Sequence, residues 1–194
     1  IYDEHTFIFS GHSIQYLFNQ FDMEVIDLEP QESHGGSMRY VIAHKGVKSI
    51  NKNVKKQLEY EDELGLTESE TFDAFGRGCE KYRLNLIELL NDIKAQGKTI
   101  AGYAATSKST TIINYCNISN NHLDCIYDTT PIKQGKFSPG AHIPIKPHSE
   151  FKNSYPDYAL LFGYNHEREI MAKEQEFMEQ GGKWITYVPE VKII

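Results

Sequence analysis

Apolar residues recur along this chain with two periods, and the change of period divides it into three zones. In residues 13–21, Ile14, Leu17, Phe18 and Phe21 follow 3-4 spacing, which predicts a short amphipathic helix. Residues 23–28 read as a strand, 30–36 as a loop and 37–43 as a returning strand. A hairpin this small cannot bury both faces alone, so it is expected to complete a sheet belonging to something upstream. Residues 47–97 read as helical. The polar stretch 53–64 predicts a solvent-facing helix that stops near Gly65. Thr67-Glu68-Ser69-Glu70 then has the form of a capping box, in which the Thr and Glu side chains satisfy free backbone donors. Behind it Phe72, Phe75, Cys79, Tyr82, Leu86, Leu89, Leu90 and Ile93 make one apolar stripe of a long helix ending at Gly97. Gly76 and Gly78 weaken that helix without removing it.

From residue 98 onward the pattern alternates. Strands are predicted at 99–103, 123–127, 158–162 and 184–188, helices at 108–116 and 165–180, and a long loop before the third strand. Strand, helix and strand in alternation predict an α/β fold, a mostly parallel sheet flanked by helices with right-handed crossovers. The chain has no internal repeat and no low-complexity stretch.

Composition narrows the function classes. The 194 residues are 40% hydrophobic and 24% charged, enough apolar material for a core. The net charge of −7 argues against a nucleic-acid binder, whose affinity rests on neutralising phosphates. No apolar run reaches the roughly 18–20 residues that span a bilayer, and the first ten residues do not read as a signal peptide. The default compartment is therefore the cytoplasm. Cys79, Cys116 and Cys125 are odd in number and lack CxxC spacing, so they read as ordinary reduced thiols rather than zinc ligands. The chain opens on Ile1 with a mixed aromatic and acidic cluster, which reads as a cut point in a longer polypeptide.

Four segments carry candidate chemistry. In residues 100–111 a strand ends near Gly102, small residues follow, and a helix begins. Helix N-terminal amides attract anions, and Lys108 and Thr110 would favour a phosphate or carboxylate there. The segment is neither GxGxxG nor a P-loop, because Ala104 stands where a second glycine would help; a plain tight turn is the competing reading. The loop 128–145 is placed at the C-terminal end of a strand, where open α/β sheets bind ligands, and it brings Lys133, Gln134, Lys136 and His142. A purely structural loop stiffened by its prolines explains it equally well. Residues 34–39 join a glycine turn to His34, Ser37 and Arg39, whose guanidinium suits a phosphate or carboxylate; an ordinary hairpin loop is the alternative. Tyr2-Asp3-Glu4-His5 is the densest acid/base cluster, since a carboxylate beside an imidazole can orient it and a phenol can donate to an oxyanion. Taken alone it also reads as a frayed, charged terminus.

Several of these segments, in order, resemble the C-terminal part of the sugar C-methyltransferases, which use S-adenosylmethionine to methylate a carbon of a nucleotide-linked 4-keto-deoxysugar. The resemblance rests on residues 2–5 with Phe9 and Ser10, on 34–39, on 97–108 with Asn114, and on 128–135. It continues through 139–144, 156–158, Asn165 with Glu169 and Ile170, and 181–183. It implies a small zinc-binding N-terminal domain, a domain holding the methyl donor, and a Rossmann-like C-terminal domain. Residues 98–194 would be the last of these, 47–97 a helical connection, and 1–46 the tail of the donor domain. Zinc and most donor contacts would then lie upstream, since this chain has neither a cysteine quartet nor an acidic-glycine strand turn. The fragment alone should not methylate.

The family's Tyr-x-Glu-His motif falls on Tyr2, Glu4 and His5, which implies His5 as base, Glu4 as its orienting partner or a substrate contact, and Tyr2 as donor to the sugar. His34, Ser37, Arg39, Lys108, Lys133, Gln134 and His142 become candidate substrate contacts. Implied partners are the nucleotide sugar and the upstream domains of the same polypeptide, with no nucleic acid and no membrane. A module that only binds a nucleotide sugar or docks a partner remains the alternative. An NAD-dependent enzyme, with Asp124 as ribose contact, ranks third.

Overall fold

The computed structural model describes residues 7–33 and 36–194. Contacts divide the chain into two compact units, the first ending at Gly78 and the second running from Cys79 to Ile194.

In the first unit α1 (Gly11–Asn19) starts at Ser10, whose hydroxyl accepts from the Ser13 amide while the Ser13 hydroxyl accepts from the Ser10 amide. β1 (Met23–Gln31) and β2 (Ser37–His44) form an antiparallel hairpin, paired from Met23 with His44 to Gln31 with Ser37 and irregular between Val25 and Asp27. The ladder runs past Pro30, so the strand extends into the stretch the sequence gives to a loop. The hairpin forms a sheet of two strands among the described residues. It is covered by α1 and by α2 (Lys52–Glu63), around a small core of Ile14, Val25, Leu28 and Val54. The helix expected to face solvent thus turns one side inward and contributes Val54 to this core. It also buries Glu61, whose carboxylate oxygens accept from the Gly11 and His12 amides at 2.8 and 3.1 Å. These are two of the donors that the first turn of α1 cannot satisfy itself. Phe7, Tyr16 and Phe21 remain exposed.

α3 (Ser69–Ala95) begins in the first unit and ends in the second. Its apolar stripe has two fates: Leu86, Leu90 and Ile93 are fully buried, while Phe72, Phe75 and Tyr82 are exposed. The helix begins at Ser69, two residues after the Thr67 that a capping box would have as its cap, and the Thr67 hydroxyl points instead to Glu68.

The second unit is a six-stranded sheet in the order β5-β4-β3-β6-β7-β8. Its strands are β3 (Ile100–Tyr103), β4 (Ile126–Asp128), β5 (Ile145–Pro147), β6 (Tyr158–Leu161), β7 (Lys183–Thr186) and β8 (Lys192–Ile193). The first five in that order are mutually parallel and β8 is antiparallel at the edge. This is the 3-2-1-4-5 order of a Rossmann-like doubly wound sheet, as the alternation of elements predicts. Side chains alternate between two cores with period two. Ile100, Ile126, Leu160 and Ile185 face α3 and α4 (Ser107–Tyr115). Ala101, Tyr103, Cys125, Tyr127, Ala159, Leu161 and Trp184 face the other layer. That layer comprises α5 (His148–Phe151), α6 (Glu167–Lys173) and α7 (Gln175–Glu179). The helix expected at 165–180 is therefore broken, with a buried Glu174 at the break.

At the amino-terminal edge Asp157 splints β3 to β6. Its carboxylate accepts from the Thr99 amide and hydroxyl, both at 2.8 Å, and from Lys98 Nζ at 2.9 Å. The Thr99 amide, then the Lys98 and Thr99 side chains, hold its pKa down to about 2. Among the described residues, no helix is long and apolar enough to cross a membrane.

Candidate functional site

In an open sheet of this order, connections leave β3 and β6 toward opposite faces, and a crevice opens at their carboxyl ends. Two segments meet there. After β3 the chain turns sharply: Ala104 adopts φ of +73°, the left-handed region that a Cβ disfavours by about 1–2 kcal/mol. Thr106 then caps α4, its hydroxyl accepting from the Ser109 amide at 3.1 Å. The amides of Ser107 and Lys108, first in the helix, have no intrahelical acceptor. After β6, Tyr164 leads into α6, and its ring lies 4.8 Å from Lys108 Nζ. Beside it residues 164–169 line an open concavity of about 400 Å³.

The turn is held from β4. Asp128, the last residue of that strand, is almost fully buried and accepts from the Ala105 amide at 2.7 Å. Its other oxygen accepts from the Thr130 amide at 2.7 Å. Lys133 Nζ donates to the Ala105 carbonyl at 2.8 Å and lies 3.4 Å from Asp128 Oδ2. Gln134 Nε2 donates to the Asp128 carbonyl at 3.0 Å. Features that would let a dinucleotide or S-adenosylmethionine approach this turn are filled. A Cβ on Gly102 would lie 2.6 Å from the Phe162 ring, so that glycine admits an aromatic side chain rather than a ligand. The Ala105 amide is taken by Asp128.

Within the second unit the candidate contacts fall at both edges of the sheet. Lys108, Lys133 and Gln134 share the carboxyl edge, but the last two spend their donors on the turn and loop. His142 is at the opposite edge. The loop 129–144 crosses back along the sheet, where Asn114, in the last turn of α4, donates to the Pro139 carbonyl at 3.2 Å. Asn120, between α4 and β4, reaches the His142 carbonyl at 3.5 Å. Ser37 and Arg39 stand on β2 in the first unit. The Ser37 hydroxyl donates to the Ser33 carbonyl, and Arg39 pairs with Glu29 directly across the hairpin at 2.9 Å. Tyr2, Glu4, His5 and His34 lie outside the described residues. Asp124 precedes β4 at its amino end and pairs with Lys94 at 3.2 Å, the wrong end of the strand for a ribose contact.

One buried polar network escaped the sequence reading. Glu174 is fully buried, and its Oε1 accepts from the Tyr103 hydroxyl at 2.9 Å and from His148 Nε2 at 2.7 Å. Its Oε2 has no protein partner. Burial, then the bond to Glu174, pushes the Tyr103 phenol above its ordinary range. Three elements supply this cluster, so no local motif marks it; the sole signal is a glutamate inside an otherwise apolar helical pattern. Burial also raises the Cys116 thiol to about 11 and the Cys125 thiol above its usual value, which keeps both protonated and unreactive. Among the described residues no three His, Cys, Asp or Glu side chains gather as a metal site.

Comparison with known proteins agrees with this architecture. C-methyltransferase NovU of Streptomyces niveus is 34% identical over 195 residues, a match that takes in all of this chain and 46% of NovU. The chain thus spans about half the length of that relative. The profile of the C-methyltransferase C-terminal domain covers residues 32–189, from the hairpin loop to the end of the parallel sheet. The chain belongs to the C-methyltransferase C-terminal domain family.

Proposed function

We propose that this chain is the C-terminal part of an S-adenosylmethionine-dependent methyltransferase acting on carbon of a nucleotide-linked 4-keto-deoxysugar. The observation that carries the reading is similarity to a C-methyltransferase along the whole chain. In this proposal the His5 imidazole removes a proton from the carbon beside the ketone. The electron pair moves into the new C=C bond, and the carbonyl oxygen becomes an enolate. Tyr2 donates a hydrogen bond to that oxygen, where charge develops, and Glu4 orients His5 or holds a sugar hydroxyl. S-adenosylmethionine, held mainly by a domain upstream in the same polypeptide, supplies an electrophilic methyl group. Zinc belongs to a further N-terminal domain, and residues 1–194 alone are inactive.

The nucleotide's diphosphate lies at the carboxyl edge of the sheet, against the first turn of α4 and Lys108. The Lys108 ammonium lies over the Tyr164 ring and has no carboxylate partner among the described residues, so it can accept an anion without breaking an ion pair seen there. Replacing His5 with Ala in the complete polypeptide is expected to abolish methyl transfer and solvent deuterium exchange at the sugar carbon, with donor binding intact. Near-normal turnover would sink the assignment.

A further inference from the structure

We infer that Asp128 is a positioning residue for the nucleotide-sugar site, acting through the backbone of residues 104–108, with Lys133 as its second strap. This inference rests on the reading that Lys108 meets the diphosphate. Ala104 is held in the left-handed region at the ligand edge of the sheet, and such strain persists only where surrounding structure over-determines it. Here the determinants are hydrogen bonds to every part of the turn. The Ala104 amide donates to the Tyr127 carbonyl at 2.8 Å and the Thr106 amide to the Ala104 carbonyl at 3.0 Å. Asp128 takes the Ala105 amide, and Lys133 takes the Ala105 carbonyl. Every peptide group of the turn is thereby tied, two of them by side chains of the next strand and its loop.

Fold maintenance alone does not ask for this arrangement, since a glycine at 104 would make the turn without strain. What the straps fix is the direction of the first turn of α4, and so the place of Lys108 over Tyr164. Lys133, whose charge suggests a ligand contact, is on this account committed to the protein. Its ammonium balances the buried Asp128 carboxylate and draws the Ala105 carbonyl the same way.

The test is a double-mutant cycle in the complete polypeptide, with thymidine diphosphate as probe in calorimetric titrations and turnover measured at saturating sugar nucleotide. Lys108→Met is expected to weaken binding about tenfold, equivalent to about 1.4 kcal/mol. Asp128→Asn is expected to weaken it by a similar factor, with maximal turnover changed less than about twofold. Lys108→Met with Asp128→Asn should be no weaker than either alone, because both act on one contact. If Lys108→Met binds like the parent, the diphosphate contact falls and the positioning role falls with it. If Lys108→Met binds weakly while Asp128→Asn is silent or simply additive, the positioning role falls alone. Thermal unfolding checks that Asp128→Asn folds. Should it not, Lys133→Met carries the test: about threefold weaker binding is expected, and unchanged binding refutes the inference.

Discussion

Replacing His148 with Ala should strongly destabilise the layer formed by α5, α6 and α7. Glu174 is fully buried, and its carboxylate relies on two close donors, Tyr103 at 2.9 Å and His148 at 2.7 Å. The nearest lysine, Lys173 Nζ, is 3.8 Å away on a half-exposed side chain. With the imidazole gone, a carboxylate that already has one unpartnered oxygen keeps a single close donor, the Tyr103 hydroxyl. Breaking a buried pair from one side costs about 3–5 kcal/mol, because the remaining charge is stranded. The imidazole also stands edge-on to Tyr103, with centroids 5.6 Å apart, which adds about 0.5–1.5 kcal/mol. Glu174→Gln, which removes the charge and keeps the shape, should cost only about 1 kcal/mol. The two together should cost less than His148→Ala alone, since no charge is left to strand. Urea unfolding at pH 7 measures all three. Trp184, the one tryptophan of the chain, has its ring 5.2 Å from Tyr103 and reports on the network directly. A His148→Ala loss below about 1 kcal/mol, or a Glu174→Gln loss as large as that of His148→Ala, would refute the stranded-charge argument.

Two further outcomes follow from the same kind of accounting. Asp157 has its pKa lowered from 3.8 to about 2, so the stability it confers is present above about pH 4 and disappears as pH falls through about 2. Its side chain is 35% exposed, which limits the effect to about 1 kcal/mol. Denaturation midpoints of Asp157→Asn should therefore fall less than those of the parent between pH 5 and pH 2, and parallel losses would count against the splint. In the first unit Glu61→Ala removes two charge-assisted bonds from the start of α1 and should cost about 2–3 kcal/mol. Hydrogen exchange at the Gly11 and His12 amides should quicken markedly, and unchanged protection would show that Glu61 does not hold them.

How much of this was legible in the sequence depends on whether an element is defined by its own residues or by distant ones. α1, β3, α4, β6 and β7 declare themselves by period and by flanking turns, and all stand within a few residues of their predicted bounds. β5 does not, because it is three residues long and ends in Pro147. A proline is tolerated there because β5 is an edge strand, and edge status is a property of the whole sheet. The break at Glu174 is equally invisible, since Ile170, Met171 and Phe177 suit one continuous helix until Tyr103 and His148 reach the carboxylate. The site divides the same way. The strand-turn-helix pattern of residues 100–111 is local, and it suffices to put Lys108 in the first turn of α4. For Lys133 and Gln134 the sequence shows charge and polarity, hence a donor, but not the Ala105 and Asp128 carbonyls that accept from it. The sequence shows that His142 belongs to the same loop as Lys133, but not that the loop runs back to the other edge, where Asn120 reaches the His142 carbonyl. Ala104 shows a subtler gap: the missing glycine looked like a failed ligand turn, yet the backbone takes the glycine conformation anyway because β4 and its loop hold it there.

The strand order also sets a sequence of exposures while the chain is being made. β3 lies at the centre of the sheet, bonded to β4 on one side and β6 on the other. β4 follows it after one helix, but β6 begins only at Tyr158. At roughly 5–20 residues per second, the β6-facing edge of β3 waits on the order of 3–10 s for its partner during synthesis. That edge belongs to the apolar segment 100–103, a template for pairing with any other extended chain nearby. Loop insertions between β4 and β6 would lengthen the wait without touching the finished fold, so they should lower the yield of folded protein before they lower its stability.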